Sequence, residues 1–345
     1  MRKLKTLIIF FLSFCSASAL ADLPFHAVTL PRDDAAHYNN VPYPVKNLME
    51  WWYYNGHLVA TDGHQFGYYF VIFRSQLHLL GVNVVYPLVQ YQITDIDNGK
   101  VVASGSIHYS KRNSSYSTSQ LDIKLDKAFT LNKSGNEYVI HSNAFDLHLT
   151  PLLKPFLIGG KGLIPMGNNT NSYYYSITRL ATTGSLTVAG KTYQLDGKKS
   201  LSWMDHQWGD FAISRAQWIW MSIQLDNGID INLVSPVNGK TKKNSGGLVN
   251  VLLPDGKTFY SQDFTVTPVK AAAGQESKYP LVYQVDIKPL KLSITMTALA
   301  PDQYANGYWE GINKASAVYQ GQPVAGYGYT ENTTKFKGNK SSLAR

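Results

Sequence analysis

The sequence predicts an all-β protein built as two consecutive sandwich or barrel domains. Short runs of aromatic and β-branched residues recur along the whole chain, separated by Asp-Gly, Asn-Gly and Pro-Asp-Gly turns. Aromatic residues make up 13% of the chain, 23 of them Tyr, against only 16% charged residues. No stretch shows helical periodicity beyond a turn or two. Short strands with regular turn signals are the pattern of a sandwich or barrel.

The first 21 residues have the form of a secretory signal. Arg2, Lys3 and Lys5 precede an apolar run from Leu7 to Phe14, and Ala19-Leu20-Ala21 forms a small-residue cleavage site. Cleavage near Ala21 predicts a secreted or periplasmic protein. The run is too short for a bilayer span, and no later segment approaches the length needed for a stable one. Removing it takes away Cys15, the only cysteine, so the mature chain has no thiol or disulfide chemistry. The formal charge falls from +9 to +6 with the three leader cations. The remaining basic residues are scattered, apart from Lys240-Thr241-Lys242-Lys243 and the tail from Lys335 to Arg345. That distribution argues against nucleic acid as a partner.

Residues 22–49, with Pro24, Pro31, Pro42 and Pro44, read as an extended arm. The next two segments, Glu50 to Leu58 and Gln65 to Arg74, flank Thr61-Asp62-Gly63 and predict a hairpin. The unbroken apolar run from Phe66 to Phe73 predicts a strand covered on both faces. Val84 to Ile96 and Lys100 to Tyr109 flank Asp97-Asn98-Gly99 in the same way. Leu121 to Leu125, Glu137 to His141 and Phe145 to Leu149 follow as short strands. Pro151 to Ser172, rich in Gly, Pro and Asn, reads as a long loop of the lid or binding kind. Tyr173 to Leu180 and Lys191 to Leu195 lead to the central stretch, Ser202 to Asp210. Beyond it, Gln217 to Leu225 with Ile229 to Val234, and Leu248 to Leu253 with Lys257 to Tyr260, form two more hairpins. Val282 to Ile287, Leu290 to Leu299, Trp309 to Tyr319 and Val324 to Glu331 complete the chain. The first β domain is expected over 22–210 and the second over 211–345.

The central stretch sets Asp205 and His206 between Trp203 and Trp208. A carboxyl drawn into an apolar wall has its charged form destabilised, so it holds a proton near neutral pH and serves as a general acid. The competing reading is that Asp205 fixes a bulge or turn by accepting backbone N–H groups. The seven tryptophans (51, 52, 203, 208, 218, 220 and 309) lie in or beside predicted strands, near Glu50, Asp205 or Glu310. Core packing accounts for the rings better than for the acids, which must be paired, hydrogen-bonded or protonated when buried. A pocket of such rings suits an apolar ligand and chemistry passing through a carbocation. There is no G-x-S-x-G elbow, no H-E-x-x-H helix, no P-loop and no dinucleotide fingerprint. The nine histidines are too dispersed to read a metal cluster, and no cofactor is expected.

A set of pieces in shared order resembles the carotenoid 1,2-hydratase/AttH-like family. They are Pro31-Arg32-Asp33 with His37, Glu50-Trp51-Trp52-Tyr53 with Gly56-His57-Leu58, Phe66-Gly67-Tyr68 with Phe73-Arg74, and Tyr174-Tyr175-Ser176 with Thr178-Arg179-Leu180. The later half adds Trp203-Met204-Asp205 with Trp208, Trp218 and Trp220, Tyr279-Pro280, Tyr308-Trp309-Glu310-Gly311, and Gly326-Tyr327-Gly328-Tyr329 with Glu331. The resemblance covers nearly the whole mature chain. It implies two lipocalin-like β domains in tandem, a ligand site between them, and an acid that protonates an isoprenoid double bond. By motif position that acid is Asp205. His206-Gln207 departs from the basic-acidic pair of many members, and Asn332-Thr333-Thr334 from their apolar ending. The expected catalytic residues are Asp205, Glu310 and Glu331. The expected ligand-binding residues are Glu50, Trp51, Trp52, Trp203, His206, Trp208, Trp218, Trp309, Tyr327 and Tyr329. The function expected is acid-assisted hydration or isomerisation of a small apolar, isoprenoid- or polyketide-like ligand. A non-catalytic lipid or pigment carrier is the alternative, and glycan binding by exposed aromatics a third.

Overall fold

The structure, a computed structural model, describes residues 27–37, 47–79, 82–167, 170–210, 217–237, 247–269, 279–305 and 308–334. The leader, the basic run 240–243 and the tail 335–345 lie outside the described residues. Helix among the described residues is limited to four single 3-10 turns; the regular structure is otherwise antiparallel strand.

The hairpin expected around Asp62-Gly63 is present, with β1 (Asn47–Val59) paired to β2 (Gln65–Leu79) along its whole length. β3 (Val82–Asp95) and β4 (Lys100–His108) close over Asp97-Asn98-Gly99, where Gly99 takes the left-handed φ of +60° that the turn demands. Five short strands then form a meander: β5 (Ser114–Tyr116), β6 (Asp122–Leu125), β7 (Phe129–Ser134), β8 (Glu137–Ser142) and β9 (Phe145–Pro151). The segment expected as a loop from Pro151 to Ser172 instead contains β10 (Phe156–Leu157) and β11 (Leu163–Gly167). Both pair with the long β12 (Thr170–Val188), because its backbone groups need partners beyond the reach of β9. β13 (Lys191–Gln194) and β14 (Leu201–Asp210) end the first sheet.

The second sheet comprises β15 (Trp218–Leu225), β16 (Asp230–Pro236), β17 (Leu248–Leu252), β18 (Thr258–Ser261) and β19 (Thr265–Pro268). It continues through β20 (Val282–Ile287), β21 (Leu292–Ala298), β22 (Tyr304–Ala305), β23 (Tyr308–Tyr319) and β24 (Gln322–Asn332). The strand orders are β4-β3-β2-β1-β14-β12-β9-β8-β7-β6-β5 and β18-β17-β16-β15-β24-β23-β21-β20-β19. In both, a late strand returns beside the first one, β14 on β1 and β24 on β15. The result is two curled antiparallel sheets, the tandem all-β architecture expected.

Each sheet encloses its own core. Trp52, Tyr54, Phe70, Ile72, Tyr175, Met204 and Trp208 belong to the first. Ile223, Ile231, Val251, Tyr283, Ile294 and Met296 belong to the second. A third cluster lies between the sheets, with Tyr53, Tyr69 and Val71 of the first against Trp220, Ile312 and Tyr329 of the second. Strand alternation explains the division, since successive side chains point to opposite faces. Along β2, Phe66, Tyr68, Phe70 and Ile72 fill the first core while Tyr69 and Val71 enter the seam, so both faces are covered. Gly67 lets the two sheets approach: a Cβ there would lie 2.5 Å from Ile312 Cγ2. A further patch sets Phe156, Ile158 and Tyr174 against Leu248, Leu252 and Tyr260. The segment read as a lid is thus packed onto the second sheet.

Candidate functional site

On β14 the seam face carries Trp203 and Asp205, and the opposite face carries Met204, His206 and Trp208. Asp205 is only 2% exposed. Its Oδ1 accepts from Ser176 Oγ at 2.5 Å and from Trp203 Nε1 at 2.7 Å, and its Oδ2 accepts from the Tyr174 hydroxyl. These donors are side chains, unlike the backbone N–H groups expected of a turn-fixing Asp. Tyr174 is fixed from the other sheet, where Asn232 Nδ2 donates to its hydroxyl at 2.7 Å and Trp220 Nε1 at 3.1 Å. Asn232 is reached in turn by Asn250 Nδ2 at 3.3 Å, and Asn250 Oδ1 accepts from Gly159 N–H across the seam at 2.8 Å. Burial raises the Asp205 pKa from 3.8 to about 6, and the three donors offset only part of that rise.

Two more carboxyls face the same seam. Glu310 on β23 and Glu331 on β24 stand directly opposite each other in register. Glu310 is 1% exposed, and among the described residues no donor reaches either of its oxygens at hydrogen-bond geometry. Burial and then the neighbouring Glu331 charge raise its pKa well above 4.5; the Tyr53 and Tyr308 hydroxyls act weakly the other way. Burial also lifts Glu331, to about 7, with Trp218 opposing and the Asp205 charge adding to the shift. Like charges in one apolar site cannot all ionise near neutral pH. Half-buried Trp51, Phe73, Trp218 and Tyr308 stand at the edge of this cluster. Two surface depressions, of about 380 and 530 Å³, lie elsewhere, the first at Pro289–Lys291 with Gln320 and the second between Leu30 and Leu153.

The opposite face of β14 presents a different group of side chains. Glu50 on β1 is fully buried and receives His37 Nδ1 at 2.7 Å and His206 Nε2 at 3.1 Å on the same oxygen. Arg74 lies 3.8 Å from its other oxygen. Burial alone would raise the Glu50 pKa; the two histidines outweigh it and hold it at about 2. Asp34, Tyr138, Tyr175 and Lys133 extend the network below His206.

The predicted residues therefore divide between environments. Asp205, Glu310, Glu331, Trp51, Trp203, Trp218 and Tyr329 share the seam. Tyr327 stacks on His57 with ring centroids 3.8 Å apart. Glu50, Trp52, His206 and Trp208 were expected at the ligand cleft but face the first module's interior, because they occupy the other parity of β1 and β14. Trp309 likewise lies on the face of β23 shared with Ala315 and Ala317, its indole directed to Pro301 O at 3.4 Å. Sequence reasoning missed Tyr174, Ser176, Asn232 and Tyr53 as seam residues. Asn232 carries a legible signal, a lone amide within the apolar run Ile229 to Val234. His37, Glu50 and His206 are separated by 13 and 156 residues, so no spacing could unite them.

Two curled β modules closing on a shared, acid-bearing aromatic seam define a class of tandem β-domain proteins. Within that class the chain belongs to the AttH-like family, which matches residues 22–334. Among curated proteins it is similar to the dehydratase asqC of Emericella nidulans, 25% identical over 216 residues, or 55% of this chain and 58% of that protein. It is also similar to the kievitone hydratase of Fusarium solani subsp. phaseoli, 23% identical over 203 residues, 54% of this chain and 56% of that one. The matches thus span little more than half the length of either relative. Among solved structures, an AttH-type protein of Nitrosomonas europaea superposes with a TM-score of 0.75 at 21% identity, covering 92% of this chain and all of the other. Kievitone hydratase from Nectria haematococca gives 0.62 at 18% identity, covering 82% and 89%. These likenesses establish the fold.

Proposed function

We propose that the protein is an exported enzyme that adds water to, or removes it from, a carbon–carbon bond of an apolar substrate held between its two sheets. The observation that carries this reading is the convergence of Asp205, Glu310 and Glu331 on one aromatic seam, each with its pKa pushed upward by burial. Glu310, the group held most firmly protonated, gives its proton to one alkene carbon. Tyr53, Tyr69, Trp220 and Tyr329 turn rings toward the cation that results. Asp205, largely ionised at neutral pH with a pKa of about 6, takes the proton of the attacking water. Glu331 lies in the fields of both acids and returns the proton between turnovers. Microscopic reversibility exchanges the roles in dehydration. The family resemblance gave Asp205 the donor role; its three hydrogen-bond donors suit a base better, whereas among the described residues no donor meets the Glu310 oxygens at hydrogen-bond geometry.

The hydratase and dehydratase activities named for the two curated relatives support the reaction class. The leader-like first 21 residues support export. Access for a substrate runs past the half-buried rings at the seam edge, which must part to admit it. The test incubates the mature chain with a panel of prenylated and polyene compounds in heavy-oxygen water, followed by mass spectrometry. One labelled oxygen per product is expected, and its loss in Asp205→Asn and Glu310→Gln. A ligand that co-purifies unchanged, with no product from any compound, would make the protein a carrier instead.

A further inference from the structure

We infer that His37, Glu50 and His206 form a binding site for one divalent first-row transition-metal ion, on the face of β14 opposite Asp205. His37 Nδ1, Glu50 Oε1 and His206 Nε2 all lie within 4.8 Å of one another. Nδ1 and Nε2 stand 2.7 and 3.1 Å from the shared carboxylate oxygen. Ligands at about 2.0–2.2 Å from an ion are roughly 3 Å from each other, so this spacing matches adjacent corners of a coordination sphere.

The hydrogen-bond directions point the same way. The Tyr175 hydroxyl donates its single hydrogen to Asp34 Oδ1 at 2.7 Å, so toward His206 Nδ1, 3.3 Å away, it can only accept. With the His206 hydrogen on Nδ1, toward that hydroxyl, the Nε2 lone pair is turned to the Glu50 carboxylate. In that tautomer two electron pairs face each other at 3.1 Å, and a cation between them would bind both. A metal ion satisfies the same geometry with a neutral imidazole.

The surroundings are those of a supported site. His37 Nε2 lies 3.7 Å from Asp33 Oδ1, and that carboxylate is itself held by Arg32 and by Thr29 N–H. Each histidine thus has a partner on its outer nitrogen, the arrangement that orients metal-bound imidazoles. His37 stacks on Trp208 at 3.9 Å, and His206 on Trp52 at 4.8 Å, so neither ring can turn freely. Two imidazoles and one carboxylate suit zinc, iron, cobalt or nickel rather than calcium or magnesium. Three protein ligands leave a position for water. The ion would fasten the arm at 27–37 to β1 and β14. The inference is independent of the seam chemistry.

The test uses the untagged chain, stripped with chelator and titrated with cobalt(II) and zinc(II). One cobalt per chain with visible d–d bands is expected, displaced by zinc, together with a rise in Tm. His37→Phe keeps the stack on Trp208 but removes a ligand, and should weaken binding roughly tenfold or more; Glu50→Gln should do the same. His148→Ala, a surface control, should leave it unchanged. No stoichiometric uptake by the wild-type chain would overturn the proposal whether or not the variants fold. So would equal affinity in wild type and His37→Phe.

Discussion

Glu50 and Glu310 are buried to the same degree, at 0% and 1% exposure, yet their proton affinities are driven in opposite directions. Glu50 looks into the first module, where two imidazoles and an arginine surround it, and it stays ionised with a pKa of about 2. Glu310 looks into the seam, where its neighbours are rings, hydroxyls and a second carboxyl, and its pKa rises well above the usual range. Asp205 and His206, one residue apart on β14, face these two environments. Burial makes a carboxyl's state depend on its partners; it does not choose the state. The seam face holds protons in reserve, and the inner face holds charge.

The comparison breaks most sharply at the seam acids. Asp205→Asn and Glu310→Gln should each lower turnover by ~10²–10⁴-fold, the range of general acid–base catalysis, while circular dichroism shows an intact fold. Turnover unchanged in either would remove that residue from the chemistry. On the inner face the loss should fall on stability. Glu50→Gln leaves His37 and Arg74 without their buried countercharge and His206 without its carboxylate partner, and should cost about 3–5 kcal/mol in denaturant unfolding.

The two faces also predict opposite pH dependence. The Glu50 contribution is fully present above its ordinary value of 4.5 and is lost as pH falls toward about 2. The Asp205 contribution is fully present below 3.8 and is lost as pH rises through about 6. Each amounts to on the order of 3 kcal/mol across its window. Asp205→Asn should flatten the upper window only, so that it gains relative stability at neutral pH while losing activity. A parallel decline in both proteins would sink that assignment. The smallest effect expected is that of Asn232→Ala, which removes one hydrogen bond to Tyr174 and should cost about 1 kcal/mol, with a severalfold change in rate. Its unfolding curve and its pH–rate profile check this together.

The architecture was legible because turn chemistry and apolar alternation act locally: Asp62-Gly63 and Asp97-Asn98-Gly99 sit where the first two hairpins turn. The segment after Pro151 was misread as a loop because β10 and β11 are held by β12, a partner that their own composition does not announce. Two acids of the seam, Asp205 and Glu310, were marked by their company of tryptophans, and Glu331 came only with the family resemblance. The division of these acids from Glu50 and His206 was not marked, although strand parity alone separates Trp203 and Asp205 from His206 and Trp208. What stayed hidden was the contribution of distant strands, such as Asn232 reaching Tyr174 across 58 positions, or His37 and His206 meeting at Glu50.

The claim that the seam stores protons is open to direct reading by infrared titration of the carboxyl C=O stretch. At neutral pH protonated-carboxyl bands from Glu310 and, in part, Glu331 should be present, the Glu310 share being lost in Glu310→Gln; further intensity should grow in below about pH 6, and the Asp205 share of it should be missing from Asp205→Asn. A spectrum with no protonated carboxyl until the pH falls to about 4 would contradict the account.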